Sequence, residues 1–154
     1  MLNLFKSIHK HLVFHINKHS EQAGDQVYKN LFHLFTSDNN KYNVTLVEHE
    51  WLEHNDFLNL ISKMNIGLQV SYSESYNIVA ADFISMNVPI VTSNEIKLVT
   101  PLSYANPNSI SSIKKSLKLN YILSEFKLQI LNKITLFFNN LLAKKIWQKF
   151  FKNF

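Results

Sequence analysis

The chain of 154 residues contains no cysteine. Its absence excludes disulfide bonds, thiolate catalysis and every metal or cluster site that depends on cysteine. The N-terminal sequence MLNLFKSIHKHLVFHINK has no apolar run longer than a few residues. We therefore predict neither a signal peptide nor a spanning helix there, and we expect a cytoplasmic protein. RNP-like aromatic patterns and zinc knuckles are also missing, which argues against nucleic acid as a partner.

The composition that remains is that of a folded protein. Apolar residues make up 46% and charged residues 18% of the chain, whereas a disordered chain would be poorer in aromatics and more one-sided in charge. The length suits one domain with a substantial core. The net charge of +5 is modest, and basic residues are concentrated only in the C-terminal sequence KKIWQKFFK.

Strand-like runs alternate with helical patterns along the chain, which is typical of parallel α/β proteins. The predicted strands are residues 11–17, 43–49, 66–71 and 89–93. The helical patterns begin near residues 20, 55, 76 and 110, and a last stretch, 121–153, reads as two pieces because the adjacent residues Asn139 and Asn140 are poor interior helix formers. We predict a single Rossmann-like domain over residues 1–120, with a mainly parallel sheet of four to five strands and helices on both faces. Residues 121–154 form a C-terminal helical extension.

The sequence SYSESYNIVAADFISMNVPIV carries the clearest motif. It resembles the nucleotide-sugar-binding core of the C-terminal domain of glycosyltransferase family 4 (group 1), which has the two-domain GT-B fold. The residues in register are Glu74, Tyr76, Asn77, Ile78, Val79, Asp82, Asn87, Pro89, Ile90 and Val91. The resemblance extends more loosely over residues 11–118.

Three departures from the family pattern stand out. Asp82 replaces the second Glu of the motif, which keeps the carboxylate but shortens its reach. Asn77 and Asn87 replace glycines, and Asn is the residue best able to take over a positive φ. The resemblance also implies that the chain begins after the acceptor domain and after the Arg and Lys that hold the donor diphosphate in the family. Two interpretations are open: a second polypeptide supplies the missing half, or the chain is a truncated remnant.

The position of the motif suggests its chemistry. A strand that ends in a polar loop before a helix presents backbone N–H groups and the positive end of the helix dipole to a phosphate, here through Ser75, Tyr76 and Asn77. Ser73 and Glu74 fall at the carboxyl end of the strand, where ligands bind in such sheets.

The resemblance assigns roles to the two acids. It implies that Glu74 contacts the reacting sugar, which makes it the candidate catalytic residue, that Asp82 accepts hydrogen bonds from the ribose, and that Ile78 belongs to the binding set. It implies no cofactor. The alternative is that Glu74 is a turn residue and Asp82 a solvated helix residue.

Two other clusters bear on the site. His11, His15 and His19 recur every four residues, but a strand would scatter them, so we predict no metal site. His15 lies near a strand end and is a candidate pocket residue. Trp51, which follows the second strand, either approaches the nucleotide base or anchors a capped loop.

The basic C-terminal end also has two interpretations. In residues 141–154, Leu142, Ile146, Phe150 and Phe154 follow one helical face and lysines crowd the others. This segment either contacts a membrane surface, giving a peripheral location, or packs on another domain.

The sequence thus predicts the donor-binding half of a retaining glycosyltransferase, acting on a nucleotide-sugar. Its expected partners are a separate acceptor-domain polypeptide or a second copy of the chain. The alternative is a non-catalytic Rossmann-like scaffold that docks through its basic tail.

Overall fold

The computed structural model describes residues 11–18, 25–36, 44–74, 76–127 and 129–152. The chain divides into two compact units, residues 1–56 and 57–154. The α/β class predicted from the sequence is confirmed, since helices and parallel strands make up both units.

The N-terminal unit pairs its two strands in parallel. Its elements are β1 (Leu12–Asn17), α1 (Asp25–Thr36) and β2 (Val44–His49). Leu12 lies opposite Val44 in the register. Side chains along β1 alternate between half-buried and exposed, as expected when only one face of a strand is covered. On the covered face, the ring of Phe14 meets the edge of Phe35 in α1 at a centroid distance of 5.2 Å.

The C-terminal unit contains a β-α-β segment followed by longer helices. A helix α2 (His54–Ile61) leads into it from the first unit, and the elements that follow are β3 (Gly67–Gln69), α3 (Ile78–Ser85), β4 (Ile90–Thr92), a 3-10 turn (Pro101–Ser103), α4 (Ile110–Glu125) and α5 (Ile130–Lys152). β3 and β4 are parallel, with Gly67 opposite Ile90. Their core includes Ile61, Phe83 and Ile84, all largely withdrawn from water.

The predicted single sheet of four to five strands is wrong. The described residues form two separate parallel sheets of two strands each, β1–β2 and β3–β4. The other edge of β4 is met by an isolated bridge from Thr92 to Tyr104, so the chain itself occupies that edge. Each run of β-branched and apolar residues is compatible with several neighbours, and three-residue strands such as β3 and β4 carry too little pattern to specify one.

The end of α3 confirms the predicted role of Asn87. Its φ of 62° places it in the left-handed region, which terminates the helix. The amide of Val88 donates to the carbonyl of Phe83 at 2.9 Å, and the amide of Asn87 donates to the carbonyl of Ile84 at 3.1 Å. This is the Schellman arrangement, completed by the burial of both Val88 and Phe83.

Gly67 is required by the closeness of α3 to β3. A Cβ atom at this position would lie 2.6 Å from a ring carbon of Phe83, well inside van der Waals contact. The glycine therefore allows the helix to pack directly on the strand that precedes the candidate site.

The predicted division of the C-terminal stretch into two helices at Asn139 and Asn140 is wrong, because both residues lie inside α5. The chain turns instead between Phe126, the C-cap of α4, and Lys127, whose φ is 57°. Asn139 is tolerated in the helix because its Nδ2 donates to the carbonyl of Lys97 at 2.8 Å. A side-chain partner outside the helix outweighs the weak intrinsic preference against Asn.

Buried amides join the two long helices to the turn at 101–103. Asn132 of α5 accepts from the backbone amide of Thr100 at 2.9 Å and donates to Ser103 at 3.3 Å. Asn120 of α4 accepts from the Ser103 hydroxyl at 2.8 Å. Together with the Asn139 contact, these hydrogen bonds fix α5 against the unit as far as its middle.

Candidate functional site

The loop before α3 is organised by Asn77. This residue is 6% exposed and is the N-cap of α3, because its Oδ1 accepts from the backbone amide of Ala80 at 2.7 Å. Its φ is −98°, so it does not take the positive φ predicted for the glycine position of the motif. That expectation is wrong, and the reason is that an Asn at a helix start is more useful as a capping acceptor.

The same amide holds Glu74. Nδ2 of Asn77 donates to Oε1 of Glu74 at 3.1 Å, and the Glu74 side chain is half-buried. One amide group thus caps the helix with its oxygen and positions a carboxylate with its nitrogen. Glu74 is held next to the first turn of α3, where the helix dipole favours negative charge.

Asp82 lies within α3, in its second turn, whereas Glu74 precedes the helix. The side chain of Asp82 is half-buried. Its backbone carbonyl accepts from the amide of Met86 at 2.9 Å and from the Ser85 hydroxyl at 2.8 Å. The predicted arrangement, one acid at the loop and one along the helix, is therefore present.

Exposed aromatic and apolar side chains surround Glu74 in sequence. Tyr72 is 72% exposed, Tyr76 55% and Ile78 65%, and Val79 is also exposed. These exposed side chains could contact a ligand or partner that binds at the loop.

Hydroxyl groups lie at the carboxyl ends of β3 and β4. The side-chain oxygens of Ser71, Thr92 and Ser93 are buried and have no hydrogen-bond partner among the described protein atoms. Sequence reasoning missed these three residues, although a polar residue directly after an apolar strand is the signal that could have identified them. Ser73 is exposed in the same loop, and Ser75 lies outside the described residues.

The N-terminal unit holds the other two predicted binding residues. Nδ1 of His15 lies 2.8 Å from Nε2 of His49, with the two rings within 15° of parallel. Sequence reasoning did not predict this imidazole pair, which depends on the parallel register of β1 and β2. Partial desolvation, and secondly the neighbouring His49, lower the pKa of His15. Trp51 is 79% exposed, so it does not anchor its loop by burial.

Charged groups beside this pair also interact. Nζ of Lys18 lies 3.0 Å from Glu50, and the hydrogen bond to that carboxylate raises the pKa of Lys18. The hydroxyl of Tyr28 donates to Glu48, which raises the pKa of the phenol. Within the part of the chain that the structure describes, no group of three His, Asp or Glu side chains is arranged to hold a metal ion.

The C-terminal half of α5 is exposed residue by residue, from Leu141 to Lys152. The large side chains Ile146 and Trp147 are 60% and 59% exposed. No helix among the described residues has both the length and the apolar character needed to cross a bilayer.

Comparisons of the chain with protein-family models, with curated proteins and with solved structures give no match.

Proposed function

We propose that the β3–α3 segment is the donor-binding site of a retaining glycosyltransferase and takes a nucleotide-sugar. The observation that carries the proposal is the double role of Asn77, which caps α3 and holds Glu74 in the loop that leads from the parallel strand β3 into this helix. The acids also keep the spacing of the family motif that the sequence resembles. Ligands of parallel α/β units bind at this edge of the sheet.

The first turn of α3 is the proposed phosphate contact. The amide of Ala80 is used by Asn77 Oδ1, and the amide of Ala81 makes the first intrahelical bond to the Asn77 carbonyl. The amides of Ile78 and Val79 precede the first intrahelical bond and are left to bind an anion. A diphosphate at this position would have its negative charge stabilised by the positive end of the helix dipole.

The carboxylates are the proposed hydroxyl contacts. Glu74 would accept from the reacting sugar, since Asn77 holds it at the loop, and Asp82 would accept from the ribose. The exposed rings of Tyr72 and Tyr76 offer apolar surface for the flat faces of the sugar or base. In the reaction, the bond from the anomeric carbon to the diphosphate oxygen breaks and the nucleoside diphosphate leaves. The oxygen of an acceptor hydroxyl bonds to the anomeric carbon, and the hydroxyl proton passes to the departing diphosphate.

Contributions of His15 and Trp51 to nucleotide binding remain separate predictions, because both residues belong to the N-terminal unit. Their test is independent of the β3–α3 site. Trp51→Ala and His15→Ala should each weaken binding of the nucleotide if these side chains reach it, whereas unchanged affinity in both variants would remove them from the site.

The proposal includes a location and a partner. Residues 141–152 are exposed and basic, and they favour a peripheral position at a membrane surface. The acceptor-binding half would be supplied by a separate polypeptide or by a second copy of the chain.

Calorimetric titration tests the donor site. The full chain would be titrated with a panel of nucleoside diphosphates and their sugars, in parallel with Glu74→Gln and Asp82→Asn. Because a hydrogen bond to a charged group is worth about 1.5–3 kcal/mol, each variant should weaken binding of the matching donor by about 10- to 150-fold. Glu125→Gln is the matched control, since Glu125 is exposed at the end of α4.

Two results would refute the proposal. One is the absence of saturable binding across the panel, and the other is saturable binding that neither acid variant changes. Either result would favour the alternative of a non-catalytic α/β scaffold.

A further inference from the structure

The two halves of α5 present apolar surface on different sides. In the first half, the inward side carries Asn132, Leu136 and Asn139, which bond to or pack against the rest of the C-terminal unit. Exposed apolar residues such as Ile134 and Phe137 lie on the opposite side. At 100° per residue, the apolar side of the second half continues the inward side of the first, but nothing among the described residues covers it.

This second half, residues 142–152, is the basic aromatic segment. Its apolar side chains span an arc of about 180° on a helical projection. The exposed members are Leu142, Ile146, Trp147, Phe150 and Phe151, and their exposures lie between 49% and 68%. The rings of Trp147 and Phe151 are nearly parallel at 5.7 Å, and Trp147 meets the edge of Phe150 at 5.9 Å, so they form one continuous apolar surface.

Lysines border this surface on both sides. On the same projection, Lys144 lies beside Phe151 and Lys149 lies beside Leu142, each about 20° outside the arc. Lys145 and Lys152 lie farther round, on the polar side. Long lysine side chains can run along an apolar surface and carry their ammonium groups to its rim.

Charge decides what kind of surface can cover the segment. After Glu125 the sequence contains six lysines and no acidic residue. A second copy of the segment would therefore oppose lysine with lysine, which disfavours self-association through this side. The complementary partner is a surface with negative charge in its outer layer and an apolar layer beneath, as in an anionic lipid bilayer.

We propose that the basic aromatic segment docks on bilayers that contain anionic phospholipids, with its axis in the plane of the interface. Ile146, Trp147 and Phe150 lie at the acyl boundary, and Lys144 and Lys149 contact lipid phosphates. Trp favours this boundary because its ring is apolar while its N–H can still be hydrated. The inference rests on the peripheral location proposed above and names its partner.

Vesicle co-sedimentation tests the docking. The full chain would be mixed with vesicles of phosphatidylcholine alone and with vesicles that also contain phosphatidylglycerol. We expect binding to the anionic vesicles only, weakening as salt is raised. Since each lysine near such a surface contributes about 1 kcal/mol, the double variant Lys144→Gln, Lys149→Gln should bind about 30-fold more weakly.

The aromatic contribution has its own variant and control. Trp147→Ala should reduce vesicle binding, whereas Phe137→Ala, which removes an exposed ring from the other side of α5, should leave it unchanged. Lys144, Lys149, Trp147 and Phe137 are all exposed, so these substitutions leave the core intact.

Three outcomes would overturn the proposal. They are no binding to anionic vesicles, equal binding to both kinds of vesicle, and binding that depends on the lysines but not on Trp147, which would indicate a polyanion or an acidic protein instead. The same protein sample would be titrated with nucleotide-sugars. Retained donor binding without vesicle binding would refute the docking alone, and the reverse result would refute the donor site alone.

Discussion

Substitution of Asn77 should separate the stability of α3 from the positioning of Glu74. Asn77→Ala removes the acceptor for the Ala80 amide and the donor to Glu74 together. Loss of an N-cap costs about 0.5–2 kcal/mol of unfolding free energy. For a chain of this size, this corresponds to a fall of roughly 1–8 °C in the melting temperature. Glu74 is half-buried, so water can replace its lost donor and little further stability should be lost.

Asn77→Ser is the informative companion. Serine retains an oxygen that can cap α3, but its shorter side chain does not span the contact of 3.1 Å to Glu74. We expect its unfolding free energy, measured by urea denaturation, to stay within about 0.5 kcal/mol of wild type, while its affinity for the donor falls as in Asn77→Ala. Two results would refute this double role of Asn77: unfolding of Asn77→Ala like wild type, or binding of the donor by Asn77→Ser like wild type.

Three further substitutions test the fold and its pH dependence. Gly67→Ala brings a methyl group against the Phe83 ring and should lower the unfolding free energy by about 1–3 kcal/mol in urea denaturation; an unchanged value would mean that the ring moves away freely. Asn87→Gly should leave stability almost unchanged, whereas Asn87→Ala should cost about 1 kcal/mol because of the positive φ; equal melting temperatures for the two would contradict this. The pKa of His15 is lowered in the folded state, so the unfolded chain binds more protons than the folded chain. The contribution of His15 to the free energy of unfolding is therefore complete above about pH 6.5, and it is lost as the pH falls through the folded pKa. Urea denaturation from pH 8 to pH 5 should therefore show a loss of stability that His15→Phe makes smaller, with His33→Phe as a control at another exposed histidine; identical profiles for His15→Phe and wild type would show that His15 does not cause the loss.

The sequence predicted individual elements better than their assembly. The runs at β1 and β4 could be recognised because β-branched and apolar residues are bounded by turn residues, and Asn87 could be placed because Asn tolerates a positive φ. Strand pairing was not predictable. β1 pairs with β2 and β3 with β4, but no pattern within a strand names its neighbour.

The candidate site was predictable to a similar degree. The spacing of Glu74 and Asp82 placed one acid before α3 and the other within it, and the structure has both there. The sequence did not reveal that Asn77 joins the cap to Glu74, since the motif places glycine at that position. It also gave no sign of the His15–His49 contact, which requires the register of two strands that lie far apart in sequence.

We propose that nucleotide-sugars bind at the start of α3. Backbone amide NMR spectra of the chain, recorded during titration with the donor that binds best in calorimetry, test it most directly. We expect saturable shifts centred on Ile78, Val79 and the loop that contains Glu74, with the amides of α4 unaffected. Saturation of the donor with no change in this loop, or with shifts confined to another part of the chain, would contradict it.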